Sequence, residues 1–132
     1  MGSLSITYLK ISELKSYARN ARTHTRKQKR QIAASMREFG FLNPIIVDEN
    51  NQIIAGQGRV EAAKLMGLAE VPTVQIGHLS AAQKKAYIIT DNRLAELAGW
   101  DKEILTVELQ SLHVHGLASH AGNSCGWICR LF

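Results

Sequence analysis

The chain has 132 residues, 45% of them apolar, and a formal net charge of +5, which suits one domain of ordinary size with a packed core. No apolar run approaches the roughly 18 residues of a membrane span, the first residues carry no secretory leader, and two cysteines near the end make no disulfide framework; a soluble cytoplasmic protein is expected. Residues 1–37 hold nine Lys/Arg against one acid, Glu13, whereas residues 38–110 hold six basic and ten acidic residues and residues 111–132 only Arg130, so a polyanionic partner is expected at one part of the fold.

Residues 6–11 alternate loosely and read as a strand, and Ser12 is placed to cap a short helix over residues 13–17. Residues 19–25 are polar and aperiodic and read as a loop. Thr25 and Gln28 have the spacing of a capping box and open a helix that runs to Phe39, where Gly40 is expected to supply a left-handed stop. At about 100° per residue, Ile32, Met36 and Phe39 form one stripe, and Arg26, Arg30 and Arg37 cluster about 140° away, with Lys27 beside Arg26. That basic row is either a solvated face or a contact for nucleic acid.

Pro44-Ile45-Ile46-Val47 reads as a buried strand, residues 48–51 as a turn and residues 52–55 as the returning strand, which makes a hairpin. Gly56-Gln57-Gly58 breaks the pattern. Helix formers follow from Val60 to Met66, with Ala62, Ala63 and Met66 on one side, and Gly67 ends them. Residues 71–76 alternate as a further strand, in which Pro72 favours the start or an edge position. Ser80 and Gln83 repeat the capping-box spacing ahead of a long helix toward Leu97, and its weak helix formers Thr90-Asp91-Asn92 mark a break or functional corner. Asp101 caps a last helix with Ile104, Leu105, Leu109 and Leu112 at core spacing. The order implies an α+β fold, a small mixed β-sheet with flanking helices. The domain is expected to span residues 5–112, and residues 113–132, rich in Gly, Ser and His, read as a disordered or non-native tail.

Three local patterns carry chemistry. In Gly56-Gln57-Gly58-Arg59 a strand enters and a helix leaves, so backbone N–H groups and a helix N-terminus converge where glycines admit a phosphate and Arg59 adds a planar cation. The pattern lacks the third glycine of a dinucleotide fingerprint and the Gly-Lys-Ser/Thr of a P-loop. In Thr90-Asp91-Asn92-Arg93, Asp and Asn are hard oxygen ligands suited to Mg²⁺ on a phosphate chain, with Arg93 to neutralise charge; the alternative is a capped helix break. Arg19-Asn20-Ala21-Arg22-Thr23-His24 is a polar loop before the basic helix, functional or an exposed linker. His113, His115, His120, Cys125 and Cys129 have zinc-ligand chemistry, but their spacing fits no common finger. Trp100 beside Asp101 reads as a packed helix junction rather than a base-stacking platform.

Taken in order, Asn20-Ala21-Arg22, Arg37-Glu38-Phe39-Gly40-Phe41, Pro44-Ile45-Ile46-Val47, Ile54-Ala55-Gly56-Gln57-Gly58-Arg59 and Asp91-Asn92-Arg93 resemble the ParB/sulfiredoxin-like superfamily. The resemblance covers residues 5–112 and is to the ParB N-terminal domain, also called the ParB-like nuclease domain, in its phage or prophage version associated with DNA methyltransferases. It implies a nucleoside triphosphate, CTP or ATP (or ADP), bound with Mg²⁺, on or beside DNA. Gly56, Gln57, Gly58 and Arg59 would grip the phosphates, Asn20 and Arg22 would face the nucleotide with Arg93 nearby, Asn92 would bind Mg²⁺, and Asp91 would aid slow hydrolysis. The row Arg26, Lys27, Arg30 and Arg37 would meet the DNA backbone.

The departures from that family narrow the reading. Gln57 and Gly58 replace Glu and an Arg of the partition proteins' turn, leaving one phosphate-facing cation, and Asn20 replaces Gln. The active-site cysteine of sulfiredoxin is absent from this turn, which excludes sulfinic acid reduction. A partition protein would also carry helix-turn-helix and dimerisation domains, for which no residues remain, and the chain has no Asp-Pro-Pro-Tyr or Asn-Pro-Pro-Tyr of an adenine methyltransferase. The leading expectation is a nucleotide-binding module working with DNA, with no membrane role and a homodimer left open. The rivals are a metal-dependent DNase and a non-catalytic DNA- or partner-binding domain serving a DNA methyltransferase.

Overall fold

The computed structural model describes residues 3–17, 23–114 and 131. They fall into two compact units, Met1–Ala95 and Glu96–Phe132. The first holds a four-stranded sheet of β1 (Ile6–Lys10), β2 (Ile45–Val47), β3 (Ile53–Ala55) and β4 (Glu70–Gln75), with helices α1 (Arg26–Phe39), α2 (Gln57–Leu65) and most of α3 (Ala81–Leu97). The second holds α4 (Lys102–Val114). Among the described residues no helix is long and apolar enough to cross a membrane.

The sheet order is β1-β4-β2-β3, with β1 antiparallel to β4, β4 parallel to β2 and β2 antiparallel to β3. It is the mixed sheet expected of the α+β class. Its core is aliphatic: Ile45, Val47, Ile53, Val60 and Val71 are buried with Ala33 and Met36 of α1 and Ala62 and Ala63 of α2. Each large aliphatic side chain fully removed from water contributes about 1.5–3 kcal/mol. The alanines let α1 and α2 approach closely, and Lys29 adds an ion pair to Glu61 across them at 3.4 Å.

Pro72 lies inside β4, a central strand, and not at its start or on an edge. The register explains why this is tolerated. Ile11 N–H bonds Ala69 O, so Tyr8 and Pro72 form a non-hydrogen-bonded pair and the proline nitrogen faces away from β1. On that other side the ladder with β2 begins only at Thr73, so no hydrogen bond is lost.

The helix expected at residues 13–17 does not form. A single 3-10 turn, Ile11–Glu13, is followed by extended chain, because the outer edge of β3 recruits Lys15: its N–H bonds Asn51 O at 2.9 Å and its carbonyl accepts from Ile53 N–H at 2.8 Å. Two ladder bonds on an otherwise open edge outweigh a short helix's weak propensity.

Both capping boxes are present. Thr25 and Gln28 exchange side-chain and backbone hydrogen bonds, as do Ser80 and Gln83. Gly40 ends α1 with φ 87° but ψ 176°, so it leaves the helix extended rather than through the expected left-handed turn, in a region only glycine enters readily. The buried stripe of α1 is Ala33 and Met36 flanked by Ile32, while Phe39, at the helix's last position, stays 52% exposed. In α4, Asp101 Oδ1 accepts from the N–H groups of Glu103 and Ile104. Ile104 is exposed, unlike half-buried Leu105, Leu109 and Leu112, because it lies about 100° round the helix from them. Trp100, expected at a packed junction, is exposed just ahead of that cap.

The β2–β3 turn is held by Asp48, whose side chain is buried. Its Oδ1 accepts from Asn50 and Gln52 N–H at 2.8 and 2.9 Å, and its Oδ2 pairs with Lys84 Nζ of α3 at 3.1 Å. Lys84 also reaches Glu49 at 2.9 Å. Burial pushes the Asp48 carboxyl up, but the hydrogen bonds from Gln52, Lys84 and Asn50 together hold it below its ordinary value.

Asp48→Ala leaves two turn N–H groups and Lys84 without this acceptor, and is expected to cost about 2–4 kcal/mol in urea unfolding at neutral pH. A carboxyl depressed in the folded state stabilises fully above its unfolded pKa and loses that contribution as pH falls through the folded value. Asp48→Asn is therefore expected to flatten the stability profile below about pH 4 relative to wild type.

Candidate functional site

The end of β3 turns into α2 through one residue. Gly56 has φ 110° and ψ 19°, and a Cβ there would lie 2.8 Å from Ile45 Cδ1 and 3.0 Å from Arg59 Nη2. Sequence periodicity places the helix start at Val60, but α2 begins at Gln57, so Gly58 and Arg59 belong to its first turn. The reason is that the backbone reversal is completed at Gly56 alone. Gly56 offers no capping side chain, which leaves the first-turn N–H groups open to an external acceptor.

Gly58 is buried and packs against a side chain from elsewhere in the chain. A Cβ on it would sit 2.8 Å from Nε2 of His24. His24 and Tyr17 are cavity-lining residues to which sequence reasoning assigns no role. The available signal is position, since His24 closes the polar loop singled out ahead of the Thr25 cap and Tyr17 lies shortly before that loop.

These groups line a cavity of about 200 Å³, bounded by Tyr17, His24, residues 53–55 of β3, Gly56 to Arg59 of the turn, and Ile88, Asp91, Asn92 and Ala95 of α3. The structure thus brings together Gly56, Gln57, Gly58, Arg59, Asp91 and Asn92 of the residues singled out from sequence. Arg93, the next residue on α3, is not in the lining. Asn20 and Arg22 lie outside the described residues, as do His115, His120, Cys125, Cys129 and the side chain of His113.

α3 runs unbroken through Thr90, Asp91 and Asn92, so the expected break is absent. Asn92 is accommodated because its Nδ2 donates to the carbonyl of Ile88 one turn back, at 2.8 Å, instead of competing for its own turn.

The electrostatics of the cavity centre on Arg59. Its Nη2 donates to Pro44 O at 3.2 Å, while Nε is buried with no partner, and so is Oε1 of Gln57. Burial pulls the Arg59 pKa down, partly opposed by the charge of Asp91; the guanidinium remains protonated all the same. Burial and then Asp91 push the Tyr87 phenol up. A buried guanidinium with an unmet N–H beside an uncapped helix start is an environment that an anion improves. Asp91 and Asn92 add hard oxygen atoms. Among the described residues no three His, Cys, Asp or Glu side chains converge on a metal position, so a cation here would draw its remaining ligands from a bound molecule, as Mg²⁺ does with phosphates.

Away from the cavity, Arg26, Lys27, Arg30 and Arg37 of α1 form a basic surface in which all four are exposed. Lys29, by contrast, is turned to Glu61.

The ParB N-terminal domain family matches residues 2–93. YnaK of Escherichia coli K12, a ParB-like nuclease domain-containing protein, is 43% identical over 82 residues, or 62% of this chain and 94% of YnaK. The C-terminally truncated chromosome-partitioning protein ParB of Caulobacter crescentus, complexed with CTP-γ-S, has a TM-score of 0.70 at 24% identity, covering 82% of this chain and 62% of that one. The same protein complexed to the centromeric parS site has a TM-score of 0.56 at 21% identity, with 92% and 64% covered. Sulfiredoxin from Arabidopsis thaliana has a TM-score of 0.50 at 21% identity, with 55% of this chain and 85% of that chain covered. These structures share the α+β fold, and this chain spans less than two thirds of the Caulobacter protein.

Gly56→Ala combines a strained φ with a collision against Ile45, and is expected to destabilise the fold by about 1–3 kcal/mol. Thermal unfolding measures it; an unchanged midpoint would show that the turn relaxes without disturbing the core.

Proposed function

Because the chain belongs to the ParB N-terminal domain family, we propose that it is a nucleotide-binding module that acts on or beside DNA. The observation that carries this reading is the half-buried, incompletely bonded Arg59 side chain at the uncapped start of α2. A phosphate placed there accepts from the Arg59 guanidinium and the first-turn N–H groups, in a charge-assisted geometry. Caulobacter ParB, of the same fold, has been seen with CTP-γ-S; CTP and ATP or ADP are the candidate ligands here.

Mg²⁺ fits as a companion of the phosphates. Asn92, whose amide nitrogen is held by Ile88, and Asp91 would provide its protein oxygens, and the ion would neutralise phosphate charge. Asp91 is the residue for any slow hydrolysis. Arg93, Asn20 and Arg22 complete the proposed ligand set. The row Arg26, Lys27, Arg30 and Arg37 is assigned to the DNA backbone, as non-specific phosphate contacts. A DNA methyltransferase partner and a homodimer belong to the same proposal. Metal-dependent DNA cleavage is the rival that YnaK's name suggests, but a two-metal site needs a convergent ligand cluster, and the described residues hold none.

Calorimetric titration with CTP, ATP and ADP in Mg²⁺ is expected to give saturable binding for at least one of them. Arg59→Ala should weaken it by about tenfold or more, and Arg59→Lys should restore little, since lysine has no Nε fork. No saturable binding by the wild-type chain would sink the proposal. For DNA, log K is expected to fall linearly with log salt, and Arg26→Ala with Arg30→Ala should lower the slope by about 0.9 for each phosphate no longer neutralised. A slope unchanged by both substitutions would remove α1 from the interface.

A further inference from the structure

We propose that His24 is a further ligand-contacting residue of this cavity, standing over the first turn of α2 where Gly58 offers no side chain and donating an imidazole N–H to the anion bound there. The assignment rests on the nucleotide-binding reading of the same cavity and deepens it.

The geometry is specific. An ideal Cβ on Gly58 would meet Nε2, Cδ2 and Cε1 of His24 at 2.8, 3.0 and 3.1 Å, so the ring occupies the space a side chain at position 58 would take. Gly58 has no positive φ, in contrast to Gly56. Its lack of a side chain is therefore explained by the ring and not by the backbone. The ring also lines the cavity. It is delivered by the residue directly before Thr25, whose capping box fixes the entry into α1.

Charge shows why a further donor matters. Arg59 and Asp91 both line the cavity and interact, so their formal charges cancel. A bound polyphosphate must then be met by neutral N–H groups of the α2 turn, by its own cation, and by whatever else reaches in. His24 is the residue placed to do so from a second element, so that the anion is gripped from both α2 and the segment entering α1. Tyr17 lines the same cavity.

The test compares wild type, His24→Ala, His24→Gln, Gly58→Ala and the double variant His24→Ala/Gly58→Ala, titrated with CTP and ATP in Mg²⁺ and followed by thermal unfolding. His24→Ala is expected to weaken triphosphate binding about tenfold, in line with loss of a hydrogen bond to a charged group. His24→Gln, which keeps an N–H, should recover part of it. Gly58→Ala should lower the unfolding midpoint through its collision with the ring, and the double variant should restore the midpoint but not the affinity. Wild-type affinity in His24→Ala, or in the double variant, overturns the assignment alone. A wild-type chain that binds no nucleotide overturns the reading of the cavity and this assignment with it.

Discussion

The cavity depends on the backbone of Gly56. Its positive φ reverses the chain between β3 and α2 within one residue, and the volume where its side chain would stand is taken by Ile45 Cδ1 on one side and Arg59 Nη2 on the other. Ile45 belongs to the fully buried core. One missing Cβ thus lets the core close beneath the turn and lets the guanidinium reach Pro44 O at the entrance to β2. Stability and the proposed anion site share that point, so the local strain is stored where the surrounding packing can hold it.

The opposite wall is set by a different interaction. Lys84 anchors α3 to the β2–β3 turn through Asp48 and Glu49. On a 3.6-residue helix, Lys84, Ile88, Asp91, Asn92 and Ala95 share one stripe. Once the ion pair fixes the first of these and Ile88 is buried, Asp91, Asn92 and Ala95 are directed into the cavity. The buried carboxylate is worth more as a register pin than as net stabilisation, since burying a charge costs much of what its partners return. Its two backbone N–H bonds keep the turn, and hence the pin, in place.

How far the fold and the cavity are readable from sequence follows from the range of each interaction. The capping boxes at Thr25 and Ser80 and the 45–55 hairpin are legible because they are set by neighbours within a few residues, and the mixed sheet because the order of strands and helices implies it. The turn at residues 56–59 is legible as a residue set, although α2 starts at Gln57, ahead of the helix formers read from Val60, because Gly56 alone absorbs the reversal. What local pattern misses is long-range. Lys15 is extended only because the β3 edge is present, Pro72 sits in a central strand only because β2 starts one residue late, and Asn92 stays helical through its bond to Ile88. His24 reads as part of a polar loop, and nothing local to it announces that Gly58, thirty-four residues on, has no side chain in its way.

The net +5 of the chain conceals two kinds of cation. Arg59 is largely withdrawn from water, its burial opposed only in part by Asp91, and its attraction for an anion acts in a medium where screening by salt is weak. Arg26, Lys27, Arg30 and Arg37 are exposed on α1, where attraction to a polyanion works through counterion release and fades steeply with salt. Under the proposed function, ionic strength would therefore separate the two ligands physically: raising it would remove a duplex from α1 well before it emptied the cavity. A single basic sequence could then carry the proposed salt-tolerant nucleotide site and the proposed salt-sensitive DNA face, because burial, and not the number of positive charges, decides how a cation behaves.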